Sequence, residues 1–84
     1  MIMQLDKTKL LKRITVDPKV MVGKPVIRGF RITVEQILEA LSAGITLLEL
    51  QDDYPFLEKE DIEACLAYAA QLVASEKVYI LKRA

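Results

Sequence analysis

The spacing of the apolar residues changes at Thr33, and this change divides the chain into a β-type leader and a helical part. Before Thr33, residues 13–18 and 26–33 are short runs rich in β-branched and aromatic side chains, which is typical of strands. After Thr33, apolar residues recur at i, i+3, i+4 and i+7, on one side of a helix; they are Val34, Ile37, Leu38 and Leu41. This pattern predicts a mainly α fold preceded by short β-strands.

Capping signals divide the helical part into three helices. Thr33 with Gln36 forms a capping box and Gly44 supplies a stop, so the first helix covers about residues 34–43. Thr46 starts a second, shorter helix, which Pro55 ends. The third helix, residues 58–75, has an apolar stripe that we expect to face the core: Ile62, Cys65, Leu66, Ala69, Leu72 and Val73.

Three short helices joined by tight turns are typical of helix-turn-helix and homeodomain-like modules. We therefore predict one three-helix domain over residues 14–76, with its β-type leader at 14–33. Residues 1–13 are interpreted as an N-terminal arm, and residues 77–84 as a C-terminal tail.

The composition bears on partners and location. Hydrophobic residues make up 52% of a chain of only 84 residues, so we expect a homodimer, with the leader at about residues 13–33 as its interface. The chain has no run long enough to span a bilayer and its start lacks the apolar core of a signal peptide, which predicts a cytoplasmic protein that does not contact a membrane.

The net charge of zero hides an uneven distribution. Residues 1–31 carry eight cations and two anions, a balance of +6, whereas residues 32–76 carry one cation and ten anions, a balance of −9. The tail adds three cations. This asymmetry matters more for partners than the total does.

The sequence offers little material for catalysis or metal binding. Cys65 is the only cysteine and the chain has no histidine, so neither a nucleophile–base pair nor a zinc site is indicated. Cys65 is expected to be a small core residue. We expect no enzymatic activity, no cofactor and no metal. The acidic residues around the start of the third helix are interpreted as a solvated face favoured by the helix dipole; they are Asp52, Asp53, Glu58, Glu60, Asp61 and Glu63.

Basic residues of the arm and of the leader are the candidate contacts for DNA or a protein partner. Arg28 and Arg31 flank Gly29, and a bend there would bring together two side chains that a regular strand places on opposite faces. Phosphate or carboxylate contacts explain this pair as well as ordinary exposed positions or salt bridges between subunits do. The third helix is poorly suited to be a DNA recognition helix, because its start is acidic and DNA phosphates would repel it. The candidate contacts are Lys24, Arg28, Arg31, Lys12 and Arg13.

Several blocks of the chain resemble a known family. They are Ile14–Pro18, Gly23–Gly29, Arg31-Ile32, Ala43-Gly44, Asp53–Pro55 and the block from Asp61 through Ala69. Across about residues 13–70 the chain resembles the family known as domain of unknown function 433. The resemblance implies a homeodomain-like fold and a role similar to that of VapB-type antitoxins, which bind a PIN-like nuclease toxin. Phe30 and Glu58 depart from the family pattern, which usually has threonine at both positions.

The C-terminal tail contains both cations and apolar residues, and this composition suggests a contact with the toxin. A nuclease site built from carboxylates is negative, so a basic segment would complement it; the candidate residues are Lys77, Tyr79, Lys82 and Arg83. A strand that closes onto the leader explains the same residues equally well. For the whole protein, we expect an antitoxin, with operator DNA as a second candidate partner. The alternatives are a stand-alone DNA-binding regulator and a non-catalytic structural interaction module.

Overall fold

A computed structural model describes residues 7–75, which form four α-helices and two short β-strands. The elements, in chain order, are α1 (Lys7–Leu11), β1 (Ile14–Thr15), a 3-10 turn (Met21–Gly23), β2 (Val26–Ile27), α2 (Val34–Ser42), α3 (Leu47–Asp53) and α4 (Lys59–Ser75). The mainly α fold, with its three principal helices preceded by a small sheet, confirms the predicted fold class.

The small sheet ends in a tight turn. β1 and β2 are antiparallel, with Ile14 opposite Ile27 and Thr15 opposite Val26. The turn after β2 is closed by the Phe30 amide, which donates to the Ile27 carbonyl at 2.7 Å. Its two central residues, Arg28 and Gly29, have φ values of +47° and +76°, as a type I′ turn requires. The chain thus turns sharply at Arg28 and Gly29, and the turn places Arg28, a non-glycine residue, in the left-handed region.

The caps of α2 and α3 match the sequence prediction. Thr33 and Gln36 form a reciprocal capping box, as do Thr46 and Glu49. Gly44 follows α2 with φ +87°, and its amide donates to the carbonyl of Leu41 at 3.0 Å. A positive φ after the last helical turn is the usual glycine stop of a helix. These local signals bring the predicted helix ends within one or two residues of the observed ones.

The core lies where β2, the three principal helices and the segment before α4 meet. Its buried side chains are Ile27, Ile32, Val34, Ile37, Leu50, Leu57 and Cys65. The predicted stripe of α4 is partly wrong. The buried residues of α4 are Asp61, Ala64 and Cys65, and Leu66, Leu72 and Val73 are each at least half exposed. The core-facing side is displaced by one residue, and the last six residues of α4 extend beyond the core.

Residues 7–11, which the sequence pattern assigns to an arm, form the short helix α1. This helix lies against α4, where Leu10 and Leu11 are half-buried beside Ala67. The small side chains of α4 allow this approach. Over residues 7–75, every helix is too short or too polar to cross a membrane.

Candidate functional site

The first turn of α4 contains a buried carboxylate, that of Asp61, whose side chain is 0% exposed. Its oxygens accept four hydrogen bonds. Oδ1 accepts from Arg13 Nη1 at 2.8 Å and from Arg28 Nε at 3.0 Å. Oδ2 accepts from Arg28 Nη2 at 2.7 Å and from the Glu58 amide at 2.9 Å. The interpretation of Asp61 as part of a solvated face is therefore wrong.

The two arginines reach Asp61 from the basic first part of the chain, Arg13 from the end of the arm and Arg28 from the leader. Arg13 immediately precedes β1, and its carbonyl accepts a 2.7 Å hydrogen bond from the Arg28 amide, so the two residues are neighbours at one end of the sheet. Arg28 also donates to the Phe56 carbonyl at 3.0 Å. Arg13 pairs with Glu58 at 2.8 Å. The cluster thus joins the sheet, its turn, the segment before α4 and the start of α4.

The left-handed conformation of Arg28 directs its side chain towards Asp61. Such a conformation costs about 1–2 kcal/mol for a non-glycine residue. In return, the Arg28 guanidinium forms a two-point contact with the Asp61 carboxylate, which is the strongest arrangement for such a pair. The turn therefore aims the side chain at α4 instead of at solvent.

Electrostatics favour the ionised form of each partner. Burial alone would raise the pKa of Asp61, but the hydrogen bonds from Arg28, from the Glu58 amide and from Arg13 outweigh burial and lower it. Hydrogen bonds to Glu58 and Asp61 raise the pKa of Arg13, and the bond to Asp61 raises that of Arg28. The carboxylate stays charged well into the acid range.

Glu58 immediately precedes α4 and occupies its N-cap position. Its amide donates to Asp61 three residues later, which is one half of a capping box. Its carboxylate instead accepts from Arg13. Asp61 therefore supplies one half of the capping box, and the Glu58 side chain joins the ion-pair cluster.

Phe30 and Phe56 form an aromatic layer beside the ion pairs. Their rings stack with centroids 3.8 Å apart and planes 16° apart, and Tyr54 contacts Phe56 edge-on. The Arg28 guanidinium lies 5.2 Å from the centroid of Phe30, within the range of a cation–π contact. Phe30 therefore packs on the segment before α4 and covers one side of Arg28.

The geometry of this cluster suits a structural role, which is to hold the sheet and its turn on α4. A carboxylate that accepts four hydrogen bonds has few acceptor sites left for a substrate proton. Cys65 is fully buried, as the sequence predicts. Burial, and to a lesser extent the nearby charge of Asp61, raises the pKa of its thiol to about 12. Within residues 7–75, no three histidine, cysteine or carboxylate side chains are grouped as metal ligands.

The structure separates the five basic candidates into two groups. Arg13 and Arg28 are directed at α4, and Lys24 pairs with Glu35 on α2 at 3.1 Å. Lys12 and Arg31 are exposed and have no ion pair within the part of the chain that the structure describes. The tail candidates Lys77, Tyr79, Lys82 and Arg83 lie outside the described residues.

A comparison with protein families gives one match, to the family described as protein of unknown function DUF433, over residues 14–69. The chain belongs to this family. The resemblance predicted from the sequence is thereby confirmed. The DUF433 match includes Arg28, Glu58 and Asp61 and begins one residue after Arg13. Comparisons with curated proteins and with solved structures each gave no match.

Sequence reasoning missed Asp61 as the centre of this cluster. A signal for it does exist, because Asp61, Ala64, Cys65 and Tyr68 have the i, i+3, i+4, i+7 spacing of one helix face. The apolar members of that face are buried or half-buried. A carboxylate on such a face needs a partner, and the cationic leader supplies two.

Proposed function

We propose that this DUF433 protein is a non-catalytic binding protein that acts as the antitoxin of a PIN-like nuclease toxin. The observation that carries this proposal is the amount of large apolar surface left uncovered. Val22 is 90% exposed and Leu48 76%, and Leu66, Leu72 and Val73 are also exposed. Isolated exposed apolar residues are ordinary, but several on a domain this small favour a protein partner.

The closed ion-pair cluster also supports a binding role. Asp61 and both arginines are occupied by one another, and the thiol of Cys65 is buried and protonated. These groups hold the leader on α4 and present a rigid surface to a partner. The step from a binding protein to an antitoxin rests on the family resemblance.

The proposed toxin contact is the basic tail, residues 77–84. Its cations would oppose the carboxylates with which a nuclease of this kind holds its metal, while Tyr79 and the apolar neighbours fill the cleft. The exposed apolar side chains of the folded domain would hold the rest of the toxin.

Co-expression with the product of the adjacent gene tests this proposal. We expect the full chain to co-purify with that protein and to inhibit its ribonuclease activity. Replacing Lys77, Lys82 and Arg83 together by glutamine should weaken inhibition at least tenfold while the circular dichroism spectrum is unchanged.

A matched control replaces Lys7, Lys19 and Lys59, three exposed cations of the folded domain, by glutamine. That variant should inhibit as the original chain does. The antitoxin proposal fails if no complex forms with the neighbouring product. The tail assignment fails if both triple variants inhibit equally.

Operator DNA is a second candidate partner, favoured by the exposure of Lys12 and Arg31. Lys12 adjoins Arg13, which neighbours Arg28, and Arg31 follows the same turn, so both cations lie at one end of the sheet. Replacing both by alanine should weaken operator binding and reduce the salt slope by about one unit per lost phosphate contact.

Replacement of Lys19 and Lys59 by alanine is the matched control for DNA binding, and Glu60→Gln with Glu63→Gln tests α4. If the glutamine variant loses DNA while the Lys12 and Arg31 variant keeps it, α4 reads the DNA and the leader does not. Arg28 is unsuitable for this test, because its removal would also disturb Asp61.

A further inference from the structure

An apolar groove of about 440 Å³ runs between α2 and α4. Val34 and Leu38 line it from α2, and Tyr68, Ala69 and Leu72 line it from α4. Val34 is buried, whereas Leu72 is 53% exposed at the edge of the groove. The groove is separate from the Asp61 cluster, because none of its lining residues belongs to that cluster.

The rim of this groove is acidic on the side of α2. Glu35 and Glu39 both border it. Lys24 neutralises Glu35 with an ion pair of 3.1 Å, but the Glu39 carboxylate has no ion pair among residues 7–75. An apolar groove with a negative rim suits an apolar segment flanked by cations.

The sequence that follows α4 has this composition. Residues 76–84 continue from Ser75, and Leu72 on the edge of the groove is less than one helical turn before that point. Val78, Tyr79, Ile80 and Leu81 form an apolar run between Lys77 and the pair Lys82-Arg83. Nine residues reach up to about 30 Å when extended, enough to return along a groove that starts next to Ser75.

We propose that the α2–α4 groove is the docking site of this chain's own residues 77–84. The apolar run fills the groove, and the cations that flank it oppose Glu39, whose charge is not neutralised by an ion pair among residues 7–75. Attachment to the end of α4 gives the segment a high effective concentration at the groove, so binding within one chain precedes binding between copies. This docking describes the free chain, and its test contains no toxin; a toxin that takes residues 77–84 into its cleft has to displace them from the groove.

The absence of tryptophan from the sequence makes the test direct. Tyr79→Trp in the full chain introduces a single fluorophore into the segment. We expect blue-shifted emission and an acrylamide quenching constant at least twofold below that of free tryptophanamide.

Leu72→Glu, added to Tyr79→Trp, should return both values to those of an exposed tryptophan. Leu66→Glu is the matched control, because Leu66 is also on α4 and 51% exposed but does not line the groove. The control should leave emission and quenching unchanged. Glu39→Lys, an exposed change on α2, should raise quenching through charge repulsion alone, which keeps the test valid if the Leu72 variant folds poorly.

Three results would overturn the proposal. One is solvent-like emission in the full chain carrying Tyr79→Trp. Another is an equal response to the Leu66 and Leu72 changes. The third is protection from quenching that appears only as protein concentration rises, since the groove would then hold the segment of a second copy. None of these results bears on toxin binding.

Discussion

Asp61 is the residue at which burial and charge compete most directly. A carboxylate without partners in a protein interior loses its hydration and becomes protonated or disrupts the fold. Here two guanidinium groups and one amide supply four hydrogen bonds to it. Arg13 and Arg28 each keep about 30% of their side chains exposed, so they retain part of their hydration while they neutralise Asp61. The Asp61 carboxylate is thus fully hydrogen-bonded, and the cluster costs less in desolvation than one in which both arginines were wholly buried.

Asp61→Asn should destabilise the fold by about 3 kcal/mol, the low end for breaking a buried ion pair, because the arginines can recover some hydration. Urea unfolding at neutral pH measures the change. Glu60→Gln is the control, since Glu60 is the exposed neighbour of Asp61 in sequence and should shift stability by no more than about 0.5 kcal/mol. Equal effects of the two changes would mean that the cluster contributes nothing to stability.

Acid should remove the contribution of Asp61. Its pKa is lowered in the folded state, so the stabilisation is complete above the unfolded value of about 3.9 and is lost as pH falls through the folded value. The difference in unfolding free energy between the original chain and Asp61→Asn should therefore be constant near neutrality and shrink below about pH 4. Urea unfolding across this range measures it, and a difference that does not shrink in acid would contradict the assignment.

At the scale of elements, the turn after β2 connects backbone conformation to the cluster. Arg28 and Gly29 both have positive φ, and the Gly29 amide donates to Thr15 Oγ1 at 3.0 Å. A Cβ added at Gly29 would have no atom outside the adjacent residues within 4 Å. The need for glycine there is consequently conformational and not steric.

Gly29→Ala should cost about 1 kcal/mol, because alanine is strained at this φ although it has room. Gly29→Asn should cost less, since asparagine tolerates the left-handed region better than other non-glycine residues do. Thermal or urea unfolding of the two variants checks the order. A larger loss with asparagine than with alanine would show that space, not φ, governs the position.

The length of α4 explains why the sequence pattern placed the core-facing stripe of this helix one residue away from the observed one. Its seventeen residues extend about 25 Å, but its buried residues, Asp61, Ala64 and Cys65, all lie near its start. Only the first half faces the core, and there the buried side includes Asp61. Averaging the apolar positions over the whole helix gives weight to Leu72 and Val73, which lie after the last buried residue of the helix and are more than half exposed.

At the scale of the whole molecule, the apolar surface exceeds what one small core can cover. We predict a homodimer, for which light scattering at micromolar concentration should report twice the 9.5 kDa chain mass. Val16→Glu, at a 60% exposed position in the leader next to β1, should weaken the dimer. Leu48→Glu on α3 is the control and should not. A monomer throughout this range would contradict the prediction.

The sequence by itself determined the features that depend on neighbours within one helical turn. These features are the capping boxes, the glycine stop after α2 and the helical spacing of Val34, Ile37, Leu38 and Leu41. Each depends on residues three or four positions apart, so each can be recognised from the sequence alone. For the same reason the mainly α fold and its β-type leader were predictable, and the family blocks were recognisable.

Only the tertiary structure decided which charges are available to a partner. Charge counting placed Arg13 and Arg28 in one basic leader, but their partner Asp61 is 48 and 33 residues away in the chain. No local pattern encodes such a pairing, since it depends on how the turn after β2 packs against α4. The same holds for α1, whose short sequence has no clear period and whose place is decided by the small side chains of α4 that it covers.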